Sequence, residues 1–196
     1  MPSPDSQAGS SRLLRCFLPF ILAGVFFLPN ATAAPDADVL DVRLEPGGGI
    51  HATARVTFPA KPSIIQSMLS DYAHWPDLFG VRMRMADIAL RDGVARVDVR
   101  IEHALLPGER RLVTESRMLP EGGLITDLVE GDFKRYHRVW KLTPVNDGTR
   151  TRADFELIVA IDSIVPDWLV ALATRRELEA HFKIVKERSA QVMWEK

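Results

Sequence analysis

The sequence predicts an α+β fold: a curved antiparallel sheet of about six or seven strands wrapped around a long C-terminal helix, with two short helices after the first strand region. Three observations predict it. Apolar and polar residues alternate with a period of two through residues 81–161, which gives each strand one dry and one wet face, as in an antiparallel sheet solvated on one side. Residues 166–194 switch to helical spacing and carry an apolar stripe that needs a partner. Between the first strands and the main sheet, two prolines and a Trp-Pro step enclose a short helical face.

The chain opens on what reads as a secretory signal. Arg12 and Arg15 supply a positive n-region, residues 17–28 form an apolar h-region broken only by Pro19 and Gly24, and Ala31-Thr32-Ala33 fits the small-x-small cleavage rule. The expected cut follows Ala33, leaving a single domain over 34–196; a cut after Ala34 would put Pro35 first. The apolar run is about a dozen residues against the roughly 20 needed to span a bilayer, so cleavage is favoured over a retained anchor. Arg12 and Arg15 are not adjacent, which does not indicate a twin-arginine route. Cys16 precedes the apolar run, the wrong side for lipidation. The expected location is periplasmic or secreted.

Residues 39–44 alternate with one slip and read as an edge strand, Gly47-Gly48-Gly49 as a turn, and residues 50–58 as the returning strand of a hairpin. Pro59 and Pro62 stop it, and Pro62 suits the first turn of a helix, where its missing N–H would be unpaired anyway. Ile64, Ile65, Met68 and Leu69 make one helical face, which Trp75-Pro76 ends or bends into a second short turn. In the sheet, Val81, Met83 and Met85 alternate with Arg82 and Arg84, and Val97, Val99 and Ile101 with Arg96, Asp98 and Arg100. Strands over 112–119, 124–129, 133–142 and 149–161 follow, the last two joined by Asn146-Asp147-Gly148, a strong turn signal. Pro166 is placed at a helix start with Asp162 or Ser163 as cap. Trp168, Leu169, Leu172, Leu178, Phe182, Val185 and Val192 then form the expected stripe. Gly131-Asp132, inside a strand region, is expected to mark a bend, with Asp132 bonding nearby backbone N–H groups.

Bulk composition excludes several function classes. Losing Arg12, Arg15 and Asp5 with the signal takes the net charge from −1 to −2, and the basic residues are scattered, so no nucleic-acid partner is expected. The single cysteine leaves too, which removes any disulfide, cysteine nucleophile or thiolate metal site. A 46% hydrophobic chain of this size can be held by its core alone. There is no His-Glu-x-x-His, Gly-x-Ser-x-Gly or phosphate loop; Gly47–Gly49 and Gly122-Gly123 read as turns. Asp71, His74 and Asp77 have a spacing that could suit a metal or a general base, but at a helix end before Pro76 they read as capping residues. No catalytic residue, metal or cofactor is expected, and a binding role is favoured over an enzymatic one.

Two segments carry a family resemblance: Ile64-Ile-Gln-Ser-Met-Leu-Ser-Asp-Tyr-Ala-His-Trp-Pro-Asp-Leu-Phe79 and Val129-Glu-Gly-Asp-Phe-Lys-Arg-Tyr-His-Arg-Val-Trp-Lys-Leu142. Together they resemble the START-like (SRPBCC) superfamily, the polyketide cyclase/dehydrase group that includes the coenzyme Q-binding protein. The resemblance implies the helix-grip fold and a ligand cavity between sheet and helix; on the residues alone a filled core would be favoured. It also implies a hydrophobic small-molecule ligand: a lipid, fatty acid or isoprenoid quinone. Relatives in that group act in mitochondria or bacterial cytoplasm, and the signal segment departs from them.

The residues expected to face the cavity are Met83, Met85, Val97, Val99, Ile101, His103, Tyr136, Trp140, Phe155, Leu157, Leu169, Leu172 and Phe182. Methionine suits such a wall because its thioether adapts to varied apolar shapes. Tyr136 shares a face with Trp140, where its hydroxyl could bond a quinone or carboxyl head group, and His103 continues the Val97/Val99/Ile101 face. Arg117 and Asp127 are expected to pair across strands on the outer face. Two other roles stay open: a cyclase/dehydrase in which His103, Tyr136 or Asp127 moves protons, and an interaction domain docking a protein through the outer sheet face around Arg150 and Arg152. Transient contact with a membrane surface is a further expected partnership.

Overall fold

Strands β1 (Val39–Leu44) and β2 (Ile50–Phe58) form the first hairpin, turned by Gly48 and Gly49, both at positive φ. The structure is a computed structural model and describes residues 37–106 and 108–194; the signal segment over 1–33 and its cut after Ala33 lie outside the described residues. Helix α1 (Pro62–Ser70) starts on Pro62 and buries Ile65 and Leu69. A 3₁₀ segment, Tyr72–Leu78, runs on through Pro76 and buries Tyr72, Trp75 and Leu78. The Trp75 indole N–H donates to the Leu69 carbonyl at 3.0 Å, tying the segment to α1.

The remaining strands are β3 (Arg82–Arg91), β4 (Val94–Glu102), β5 (Glu109–Met118), β6 (Gly123–Gly131), β7 (Phe133–Val145) and β8 (Arg150–Ile161), followed by helix α2 (Asp167–Trp194). All eight strands form one antiparallel sheet in the order β1-β2-β8-β7-β6-β5-β4-β3. That is one strand above the expected count, because the first hairpin joins the sheet beside β8 and every period-two segment forms its own strand. The described residues belong to one compact unit.

Curvature comes from register shifts at Met85/Asp87, Val113/Thr114 and Phe133/Arg135, since an extra residue on one strand bends it and increases its twist. Val129 is the residue skipped at the middle break; two residues on, Gly131 ends β6 opposite Leu112 at φ 128°, and a Cβ there would run into the Arg111 carbonyl. Next to it the Asp132 carboxylate accepts the Arg111 N–H at 2.6 Å while its own N–H donates to the Arg111 carbonyl at 2.8 Å. The expected role of Gly131-Asp132 is the observed one.

Helix α2, about 42 Å long at 1.5 Å per residue, lies along the concave face. Its C-terminal half packs Phe182 and Val185 into a core with Trp140, Phe155 and Leu142. Trp140 meets Phe155 edge-on at 4.7 Å and Phe182 at 5.7 Å between centroids, a geometry aromatic rings favour.

Candidate functional site

At the other end, the N-terminal half of α2 does not fill the space above the sheet. A cavity of about 220 Å³ remains there. Its cause is residue size: α2 presents Val170, Ala173 and Thr174 to this end, where two turns later it presents Phe182. The sheet contributes Met83, Val99, Ile101, Leu112, Leu157 and Val159, and the 3₁₀ segment closes one side with Trp75, joined by Phe79 just beyond it.

Of the residues expected on this wall, Met83, Val99, Ile101, His103, Tyr136 and Leu157 lie on it. The others lie elsewhere. Val97, Trp140, Phe155 and Phe182 are core residues, buried where the helix touches the sheet. Met85 packs against that core one residue before the β3 break. Leu169 is half-buried off the wall, and Leu172 is exposed. The reason is the rotation of α2: its inward stripe runs through Val170, Thr174, Glu177, Leu178, His181, Phe182, Val185 and Ser189. Trp168 and Leu172, one turn apart, are left on the outside, Trp168 at 63% exposure.

The polar content of the site was missed in part. Arg138 lies on the cavity wall between Tyr136 and Trp140 on the inner face of β7, and is only 5% exposed. Its guanidinium sits 4.6 Å from the Trp75 ring centroid, and Nη2 donates to Thr126 Oγ1 at 3.4 Å. The sheet register explains the placement: Ser116, Thr126, Arg138 and Leu157 form one cross-strand row. The Ser116 and Thr126 hydroxyls bond at 2.9 Å. Burial pushes the Tyr72 hydroxyl pKa up, opposed by its hydrogen bond with Ser116 and by the Arg138 charge. The signal was in the sequence, because an alternation that points Tyr136 and Trp140 inward must point Arg138 inward too.

His181 was also missed. Its Nδ1–H donates to the Leu78 carbonyl at 2.7 Å, its ring stacks on Phe79 at 4.3 Å between centroids, and Nε2 is buried without a partner. Burial lowers its pKa to about 4, the Leu78 hydrogen bond opposing and the Arg138 charge adding to the effect. The ring is neutral and braces the 3₁₀ segment against α2.

At the opening, His103 Nδ1 accepts the Leu105 N–H at 3.1 Å, which leaves Nε2 facing Glu177 Oε1 at 3.9 Å. Tyr136 packs edge-on to Phe133. The other candidates face away. Asp127 accepts the His137 Nδ1–H at 2.7 Å on the outer face, while Arg117 reaches Glu115 at 3.5 Å. The expected Arg117–Asp127 pair does not form, because Arg117 stands opposite Ile125 in the β5–β6 register. Asp71 accepts the His74 Nδ1–H at 2.8 Å, which raises the His74 pKa; both side chains are exposed. The rest of the outer face is a mosaic of both signs, including Asp98–Arg111 at 2.9 Å and Arg84–Glu109 at 3.0 Å. Among the described residues no group of His, Cys, Asp and Glu is arranged to hold a metal, and no helix is long and apolar enough to cross a membrane.

The architecture has solved counterparts. A STAR-related lipid transfer protein from Xanthomonas axonopodis superposes with a TM-score of 0.64 at 15% identity, over 80% of this chain and 97% of that one. A START superfamily protein from Mycobacterium smegmatis gives 0.58 at 20%, over 72% and 98%. An aromatase/cyclase from Streptomyces sp. R1128 gives 0.59 at 12%, over 72% and 93%. At these identities the likeness is one of fold. No curated protein sequence matches the chain. Residues 58–180, however, match the family described as polyketide cyclase/dehydrase and lipid transport, and with the helix-grip architecture around its cavity the chain belongs to that family.

Proposed function

We propose that the protein is an exported binding protein that holds a hydrophobic small molecule between its sheet and the N-terminal half of α2. The observation that carries this reading is the cavity itself: an apolar space kept open by small residues on α2 in an otherwise filled core. A ligand burying about 200 Å² of apolar surface there would gain about 5 kcal/mol before the costs of association. The apolar side chains beside the start of α2 support loading from a lipid surface: Ile164 is 91% exposed, and Trp168 and Leu172 stand out from the helix. Export rests on the segment over residues 1–33.

Native mass spectrometry of the protein purified from periplasm, with organic extraction, tests this. A discrete bound lipid, fatty acid or quinone, on a chain beginning at Ala34, is the expected result. Full-length chain confined to the cytoplasm would overturn export, and protein that neither carries nor takes up an apolar ligand would overturn binding.

One observation favours a second reading, a cyclase/dehydrase-type enzyme: His103, Glu177 and Tyr136 all reach the cavity wall, where an imidazole beside a carboxylate could move a proton. His103→Ala would then abolish turnover of a bound aromatic or polyketide substrate without loss of affinity. Asp127, on the outer face, takes no part in this reading.

A further inference from the structure

We propose that the cavity takes a single-tailed amphiphile with an acidic head, and that Arg138 receives that head. This deepens the binding role stated above and rests on it.

Arg138 is a buried cation without a counter-ion. Its side chain is 5% exposed, yet no carboxylate of the described residues pairs with it; its polar contact is the long bond to Thr126, and Nε is buried with no partner. A guanidinium does not lose its proton in a protein, and an ionised group removed from water is costly unless it is paired. Several other strand arginines are paired, Arg84 with Glu109, Arg96 with Glu130 and Arg111 with Asp98, and Arg110 and Arg150, which also leave Nε without a partner, are only half-buried. At Arg138 the neighbours are the Trp75 ring and the hydroxyls of Ser116 and Thr126, which supply dipoles and a π face but no negative charge.

The missing charge can come from the cavity, because Arg138 is on its wall. The two carboxylates that share the wall, Asp167 and Glu177, come from α2; Glu177 faces His103, and neither pairs with Arg138. A guanidinium fork matches a carboxylate with two parallel N–H bonds. Tyr136, two residues back on the same inner face and also on the wall, adds a hydroxyl donor. The apolar remainder of the wall then receives a chain. At about 220 Å³ the space lies below the roughly 300–1,000 Å³ of common ligand pockets, which suits one tail rather than two.

The test uses the delipidated protein loaded with the neutral fluorophore N-phenyl-1-naphthylamine at pH 8, displaced by dodecanoic acid, dodecanol or methyl dodecanoate. The acid should displace the probe at about tenfold lower concentration than either neutral compound. In Arg138→Gln, whose fold is checked by circular dichroism and retained probe binding, the three should become equivalent, while Arg138→Lys keeps part of the preference. Equal displacement by acid and alcohol in the wild-type protein would overturn the proposal while leaving the binding role intact, as would an acid preference that survives in Arg138→Gln. If the fluorophore and all three compounds fail to bind, the binding role falls, and this proposal with it.

Discussion

Replacing His181 by glutamine isolates the cost of burying an imidazole. In the folded protein the ring is 2% exposed, held by Leu78 and Phe79, and its pKa lies at about 4. In the unfolded chain it titrates near 6.5. Above pH 6.5 the ring is neutral in both states and no stability is lost through it. As pH falls from 6.5 towards 4, the unfolded state binds the proton and the folded state does not, so stability declines. Integrated from pH 7.5 to 4.5, the loss through this one group is about 2–3 kcal/mol. Other groups titrate over the same range: His74, its pKa raised by Asp71, contributes stability that is fully present below the unfolded value and is lost as pH rises. A difference between wild type and His181→Gln cancels these terms. Urea denaturation of both proteins at pH 7.5 and 4.5 should show the wild type losing about 2–3 kcal/mol more than the variant. Equal losses would refute the argument that burial sets the state of this ring.

Three further outcomes follow from packing and backbone geometry. Trp140→Ala removes a fully buried indole that touches Phe58, Phe155, His181 and Phe182, and chemical denaturation should show a loss of about 3–5 kcal/mol. Gly131→Ala sets a Cβ against the Arg111 carbonyl at φ 128°; the expected loss is about 3 kcal/mol or more, with a lowered thermal midpoint as the readout. Val159→Trp fills the cavity from β8 and should weaken N-phenyl-1-naphthylamine binding at least tenfold, with the urea midpoint little changed.

The sheet was legible in the sequence because β2, β4 and β8 keep a period of two over most of their length, and a one-residue error would have put Val97 and Val99 in water and Arg96 and Asp98 in the core. The bend at Gly131-Asp132 was legible for a related reason: glycine inside a strand has few other uses. Helix α2 was harder. Its inward stripe includes Thr174, Glu177, His181 and Ser189, while Trp168 and Leu172 face out, so hydrophobicity alone selects the wrong face over its first three turns. Only once Phe182 and Val185 anchor the far half is the rotation fixed. The same bias hid the site's charge. A reading that looks for apolar residues on inner faces passes over Arg138, although Tyr136 and Trp140 on either side fix its direction. The aromatic residues Trp140, Phe155 and Phe182 were placed on the right face, but nothing in their spacing tells a wall from a filled contact; side-chain volume on the facing helix decides that.

The unequal seating of α2 makes the helix a lever with a fixed end. Its distal half is clamped by interlocking rings and by the imidazole that grips the Leu78 carbonyl. Its proximal half rests over a void lined by short side chains and is tied to β1 by the Arg175 bond to the Leu40 carbonyl. Lifting that half exposes few well-packed atoms, so it belongs to the low-energy end of local openings, while lifting the distal half would break the core. A ligand of the proposed kind would then pass in and out at one end of the molecule without the rest loosening. Amide exchange along α2 should record this as a gradient, fast near Val170 and slow near Val185.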